Sequence, residues 1–327
     1  MKYQAKIKIL FFIVSFLNFN SLLNGQSYML YSKVDVYEFA VNPAASGRAY
    51  YPYLNLSFKK QWLGIKNSPF TTGIGGCIRM GTFDFYRPNK MLNKSIYKNK
   101  GRIGIGALML HDINGPLKTS NYVATVSYFI PFKESELSFG LASRFGAYSI
   151  DYSVLSPGID NDPMFSHSEI GSVIPEFDFG IYYHTHQFYT GISINELIKK
   201  HKLFFLEDET NNTRDAFFLS GYKFFLLYFD FEPAIYLGMI NKDELYYNFR
   251  AKVYYRSYNW IALSYKTHNI LCFSFGARLN KMYFAYSFEQ NVSRVAKYNF
   301  GTHELMLGMN IGLFEAEGIR KRKRKYR

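Results

Sequence analysis

Read in steps of two, this chain repeatedly separates its apolar residues from its small and polar ones. Near its end, Leu305, Leu307, Met309, Ile311 and Leu313 share one parity, and Met306, Gly308, Asn310 and Gly312 the other. Leu271, Phe273, Phe275, Ala277 and Leu279 alternate in the same way with Cys272, Ser274, Gly276 and Arg278. So do Leu137, Phe139, Leu141, Phe145 and Ala147 with Ser138, Gly140, Ala142, Arg144 and Gly146. Successive side chains of a strand point to opposite faces, so each run has one oily face and one small or polar face. A soluble two-sheet sandwich uses strands of about five or six residues and turns its oily face inward. Here the runs are longer, and the face that water would meet holds glycine again and again. A closed membrane barrel, apolar outside and polar inside, accounts for both.

Fourteen such strands can be drawn, at 53–62, 70–79, 102–110, 119–131, 135–150, 175–184, 187–194, 214–225, 227–240, 245–256, 258–267, 270–279, 280–290 and 302–314. Connection lengths give a separate test. Those after the even-numbered strands are short, such as Phe132–Glu134, whereas Asp151–Ile174, Asn195–Thr213 and Asn291–Gly301 are long. Outer-membrane barrels have an even strand count, short periplasmic turns and longer outside loops, which places both termini in the periplasm. Two connections break the rule: Thr82–Lys100 is long where a short turn is expected, and Thr267–Asn269 is short where a loop should face outward. The fold expected is therefore an all-β transmembrane antiparallel barrel of about fourteen strands in the outer membrane.

The ends are read differently. Lys2, Lys6 and Lys8 precede the apolar run Ile9–Leu17, and a small residue stands before Gln26, the pattern of a secretory signal over residues 1–25. That run is too short to cross a bilayer as a helix. Residues 26–52 form a periplasmic or plug segment: long enough to enter the lumen, with Asn42-Pro43 able to turn it, but not obliged to do so. The barrel then occupies 53–314 and a basic tail 315–327. Tyr and Phe number 29 and 32, more rings than one core requires and the usual material of interfacial girdles. The net charge of +14 is partly the tract Arg320–Lys325; export makes a nucleic-acid role for it untenable and leaves docking on an acidic partner or lipid headgroups, or a solvated tail.

Ordered landmarks run through the chain: Asn42-Pro43-Ala44, Gly47, Gln61-Trp62, His111-Asp112, Gly115, Leu137–Leu141, Pro175–Tyr183, Tyr189–Ser193, Gly221-Tyr222, Trp260–Lys266, Tyr283–Phe288 and Gly301–Leu305. In that order, from Asn42 to Phe314, the chain resembles the PorP/SprF family of outer-membrane proteins of the type IX secretion system. The resemblance implies a non-enzymatic barrel without cofactor that helps export and surface-anchor a large cargo protein, such as a gliding-motility adhesin. Its implied partners are the cargo's C-terminal sorting domain, the translocon or periplasmic ring, and the bilayer.

Site candidates follow from position. Asp160, Phe165, Phe204 and Phe205 in the long loops, and Arg320, Lys321, Arg322 and Lys323 in the tail, are the candidate partner-binding residues. Arg102, Arg144 and Arg278, with Arg79 and Arg250, have lumen-facing parity, with Glu176, Asp178 and Glu289 as available partners. Phe314 has the place of the aromatic that ends the last strand of such barrels and signals assembly. His184 and His186 share a strand face, but no third ligand has a defined spacing to them. Asp160-Asn161-Asp162 opens like a calcium loop whose sixth and twelfth positions hold Phe165 and Gly171 instead. His303 and Glu304 fall on opposite faces and cannot form a base with its orienting acid, and no G-x-S-x-G occurs. Cys77 and Cys272 read as small fillers of a sheet face. The alternative function is an outer-membrane channel for hydrophobic solutes, with Phe165, Phe204 and Phe205 attracting them.

Overall fold

The computed structural model describes residues 35–49, 51–80, 102–151, 171–197, 215–240, 244–255, 259–292 and 299–311. The alternating runs form strands β1 (Tyr53–Lys60), β2 (Phe70–Arg79), β3 (Ile103–Asn114), β4 (Leu117–Pro131), β5 (Ser135–Ile150), β6 (Gly171–Thr185) and β7 (Phe188–Asn195). They continue as β8 (Asp215–Tyr222), β9 (Phe229–Ile240), β10 (Glu244–Tyr255), β11 (Asn259–Lys266), β12 (Ile270–Leu279), β13 (Met282–Asn291) and β14 (Thr302–Asn310). Each pairs antiparallel with its sequence neighbours, and β14 pairs with β1 from Tyr53↔Asn310 to Lys60↔His303, closing the wall. The fourteen-stranded antiparallel barrel expected from the alternation is the fold found.

Boundaries differ for local reasons. The run read as 214–225 is β8 plus a two-residue continuation, Phe224–Phe225, because the β8–β9 ladder lapses around Pro233, which has no N–H to give. Lys223 in the gap instead donates its N–H to Gln187 O at 2.7 Å. Among the described residues, β6 begins at Gly171 and outruns β7, whose last bond to it is Leu197 N–H to Phe177 O at 2.8 Å. The short connection Thr267–Asn269 turns by placing His268 and Asn269 at φ 64 and 56, a left-handed pair that Asn and His tolerate better than most residues.

The two faces differ as the alternation requires. Leu141, Leu263 and Leu307 are 58%, 57% and 41% exposed on the outside, where hydrocarbon rather than water would meet them. Their neighbours Ala142, Ser264 and Gly308 point inward and are buried. What buries them is partly the chain itself. Residues 35–49 lie within the wall as one helical turn, α1 (Glu38–Val41), followed by a 3-10 turn, Pro43–Ala45. Tyr37, Phe39, Ala40, Val41, Asn42, Ala44 and Ser46 are all at most 1% exposed. The segment 1–25 read as a secretory signal, the Thr82–Lys100 connection and the basic tail lie outside the described residues.

Candidate functional site: the lumen

The inner segment is held chiefly through polar atoms. Asn42 donates from Nδ2 to Ile181 O and Ile192 O, both at 3.2 Å, and accepts Ala44 N–H at 3.0 Å on Oδ1. It thereby ties the turn to β6 and β7 and caps the 3-10 turn. Wall serines meet the segment's carbonyls: Ser193 to Val41 O at 2.8 Å, Ser138 to Ala44 O at 2.7 Å and Ser127 to Ser46 O at 2.6 Å. Ser46 Oγ lies 2.6 Å from Thr125 Oγ1, and Tyr37 donates to Asn55 O of β1 at 3.2 Å. Each bond satisfies a buried group that water cannot reach.

The inward glycines make this approach feasible. A Cβ on Gly140 would stand 2.2 Å from Ala44 N, and one on Gly180 2.1 Å from Asn42 Oδ1. Gly47, near the end of the inner segment, has φ +78, and a Cβ there would stand 3.0 Å from Gly104 Cα of β3.

Several charges inside are paired. Arg79 binds Glu136 through two bonds, 2.9 and 3.2 Å, with both side chains at most 1% exposed and the guanidinium 3.9 Å from the Phe129 ring centre. Arg144 donates to Asp178 at 2.7 Å, to Ala40 O at 3.4 Å, and lies 3.9 Å from Glu176. Glu289 takes both Lys59 at 3.0 Å and Lys266 at 2.8 Å. Two further knots belong to the segment. Glu38 joins Arg48 at 2.6 Å and Tyr182 OH at 2.7 Å, and Asp35 bonds Arg250, which also reaches Glu232 at 3.3 Å. Burial alone would push the Asp35 carboxyl up, but Arg250, Lys266 and Lys252 outweigh it and hold it below the usual carboxylate range.

Of the lumen charges expected, Arg144, Glu176 and Asp178 come together. Arg278 is half-buried near the end of β12 and donates to Asn280 O at 2.8 Å. Arg102 departs from expectation: it is exposed and donates to the hydroxyl of Tyr128, an outward residue, at 3.3 Å. It precedes the first residue of β3, where strand parity no longer dictates its side. Lys59, Lys266 and Glu136 were not singled out, although their parity on β1, β11 and β5 would have placed them inward. Asp160, Phe165, Phe204, Phe205, Phe314, Arg320, Lys321, Arg322 and Lys323 lie outside the described residues.

His184 is buried 3.5 Å from Glu136, and the described residues contain no cluster of three metal-ligating side chains. His303 bonds Tyr286 OH at 2.6 Å and Phe300 O at 3.0 Å, while Glu304 points to the other face. Cys77 and Cys272 are both free and buried, on β2 and β12.

Among solved structures, the chain aligns with the outer membrane protein Omp33 of Acinetobacter baumannii at 7% identity and TM-score 0.47, covering 81% of this chain and 98% of that one. The CymD monoaromatic hydrocarbon channel aligns at 10% identity and TM-score 0.43, over 85% and 94% of the two chains. An outer membrane channel from Pseudomonas putida F1 aligns at 7% identity and TM-score 0.39, over 80% and 95%. No curated protein matches. The family model of the type IX secretion system membrane protein PorP/SprF matches residues 24–309, which spans the inner segment and the wall almost to its last residue. A chain matched over that length, folded as an outer-membrane barrel, belongs to the PorP/SprF family of type IX secretion system membrane proteins, a secretion family and not an enzyme family.

Proposed function

We propose that this barrel assists export and surface anchoring of one large cargo protein, such as a gliding adhesin, by engaging the cargo's C-terminal sorting domain. Both termini would lie in the periplasm, and the connections 151–174, 195–213 and 291–301 would face outward and meet the cargo. Translocon or periplasmic-ring components would be met at the opposite end. The observation that carries this reading is the hydrogen-bonded segment 35–49 across the lumen. A wall whose serines and glycines are shaped to a resident segment is suited to a scaffold rather than to free diffusion.

Deleting the gene and comparing surface proteomes tests the proposal. Loss of one large adhesin from the surface, with fatty-acid uptake intact, is the expected result. Intact surface display with a lost apolar nutrient would instead support a channel for hydrophobic solutes and refute the scaffold.

A further inference from the structure

The mouth at which the wall begins and closes, beside Tyr53 and Asn310, contains a group of side chains that cargo engagement at the far end does not use. β10 turns Lys252 and Tyr254 inward as alternate residues, and β11 brings Trp260 opposite Tyr254 in register. Lys252 Nζ stands 4.3 Å from the Trp260 ring centre and 5.5 Å from that of Tyr254. From the gap after β8, Lys223 places its Nζ 4.0 Å from the same Tyr254 ring. The indole is seated on β12, because a Cβ at Gly276 would come within 2.4 Å of its ring atoms. Two ammonium groups therefore share one fixed aromatic wall.

Neither ammonium makes a hydrogen bond or an ion pair with a described residue. The carboxylates whose fields reach Lys252, those of Glu232 and Asp35, are both bonded to Arg250, and Glu232 also accepts from Tyr189 OH at 3.1 Å. A cation lying on a ring face can turn its N–H donors away from the ring, where a ligand can take them. The surroundings carry both signs: Arg278 is half-buried, Lys281 in the β12–β13 turn and Lys133 in the β4–β5 turn are exposed, and Asp230, opposite Tyr254 in register, is buried. The group faces the lumen. Its strand neighbours Tyr255 and Ile261 are the ones that face outward, 53% exposed each. A lipid headgroup would have to leave the bilayer to reach it, whereas a polypeptide can enter the mouth from water.

We propose that this mouth binds an acidic polypeptide segment, whose carboxylates take the open donors of Lys223 and Lys252 while its chain lies against Tyr254 and Trp260. The site is at the end of the barrel opposite the cargo-facing loops proposed above, and it stands or falls independently of them.

The chain has only two tryptophans, so Trp62→Phe leaves Trp260 as the sole reporter. Titrating hexaglutamate into the full-length barrel in detergent micelles should change Trp260 emission saturably. The change should fade as salt is raised from about 50 to 500 mM, because screening shortens the reach of the lysines. Lys223→Gln combined with Lys252→Gln should weaken binding at least about tenfold, the loss of two charge-assisted contacts. Lys252→Arg should keep most of it. Heat-modifiable gel migration would establish that each variant is a folded barrel. No emission change with hexaglutamate, or unaltered affinity in the folded double Gln variant, would overturn the proposal. So would sodium phosphate acting as strongly at matched charge, since the ligand class would then be a phosphate and not a polypeptide.

Discussion

Asn42 is the position where removing one side chain should release the inner segment without touching the wall. Its amide makes three hydrogen bonds, two from Nδ2 to strand carbonyls at 3.2 Å and one on Oδ1 from Ala44 N–H at 3.0 Å, in a site with no exposed surface. In Asn42→Ala the Ala44 N–H loses its acceptor where water cannot replace it, at about 1–3 kcal/mol, and each lost carbonyl bond adds about 0.5–1.5 kcal/mol. The sum, about 2–6 kcal/mol, acts on docking of the segment, because the β6–β7 ladder has its own bonds. Each 1.4 kcal/mol is about a factor of ten in the docked population, so a central value shifts it on the order of a thousandfold. A disulfide trap can read this. Ser46 and Thr125 have hydroxyls 2.6 Å apart, so Ser46→Cys with Thr125→Cys, in a Cys77→Ala/Cys272→Ala background, should cross-link readily in the parent. Adding Asn42→Ala should slow cross-linking strongly, and without the trap it should raise single-channel conductance in planar bilayers. Unchanged cross-linking together with unchanged conductance would show that the segment does not depend on Asn42 and that the polar account of its docking is wrong.

Three further outcomes follow from the same geometry. Gly180→Val should reproduce the Asn42→Ala conductance, since its Cβ would overlap Asn42 Oδ1 at 2.1 Å; a closed, cross-linkable lumen in that variant would contradict the close approach. Leu307→Arg should cost about 2–4 kcal/mol near the bilayer midplane, measured by denaturant unfolding in lipid vesicles, and no loss would remove Leu307 from the lipid face. Arg79→Ala should cost about 3–5 kcal/mol by removing the guanidinium that makes two bonds to buried Glu136, and Arg79→Met with Glu136→Leu should recover most of it. Thermal loss of the heat-modifiable band compares the two, and equal stability of single and double variants would dispose of the buried pair.

The wall was legible because it rests on a local rule. Whether Leu307 faces lipid and Gly308 the lumen depends only on a period of two, which a stretch of about ten residues displays without any partner. Closure through β14 and β1 then follows from an even count of such stretches. Misreadings fell where the rule lapses. Arg102 precedes its strand, and Pro233 interrupts the β8–β9 ladder from the neighbouring strand, which the β8 residues cannot foretell.

Parity also marked Arg79, Arg144 and Arg250 as inward, but not which carboxylate each would meet. Glu136 was overlooked, and Asp35 lies outside the strands altogether. The lumen's contents are of this second kind. Asn42 and Ile181 are 139 residues apart, and nothing in residues 26–52 obliges that segment to enter the barrel. The alternation of side chains was enough to specify a membrane wall, its strand count and its lipid-facing residues. Only the closed tertiary structure decided that a segment lies across the lumen, that Gly140 and Gly180 exist to admit it, and which charges pair. Those outcomes depend on atoms that become neighbours only once all fourteen strands have closed.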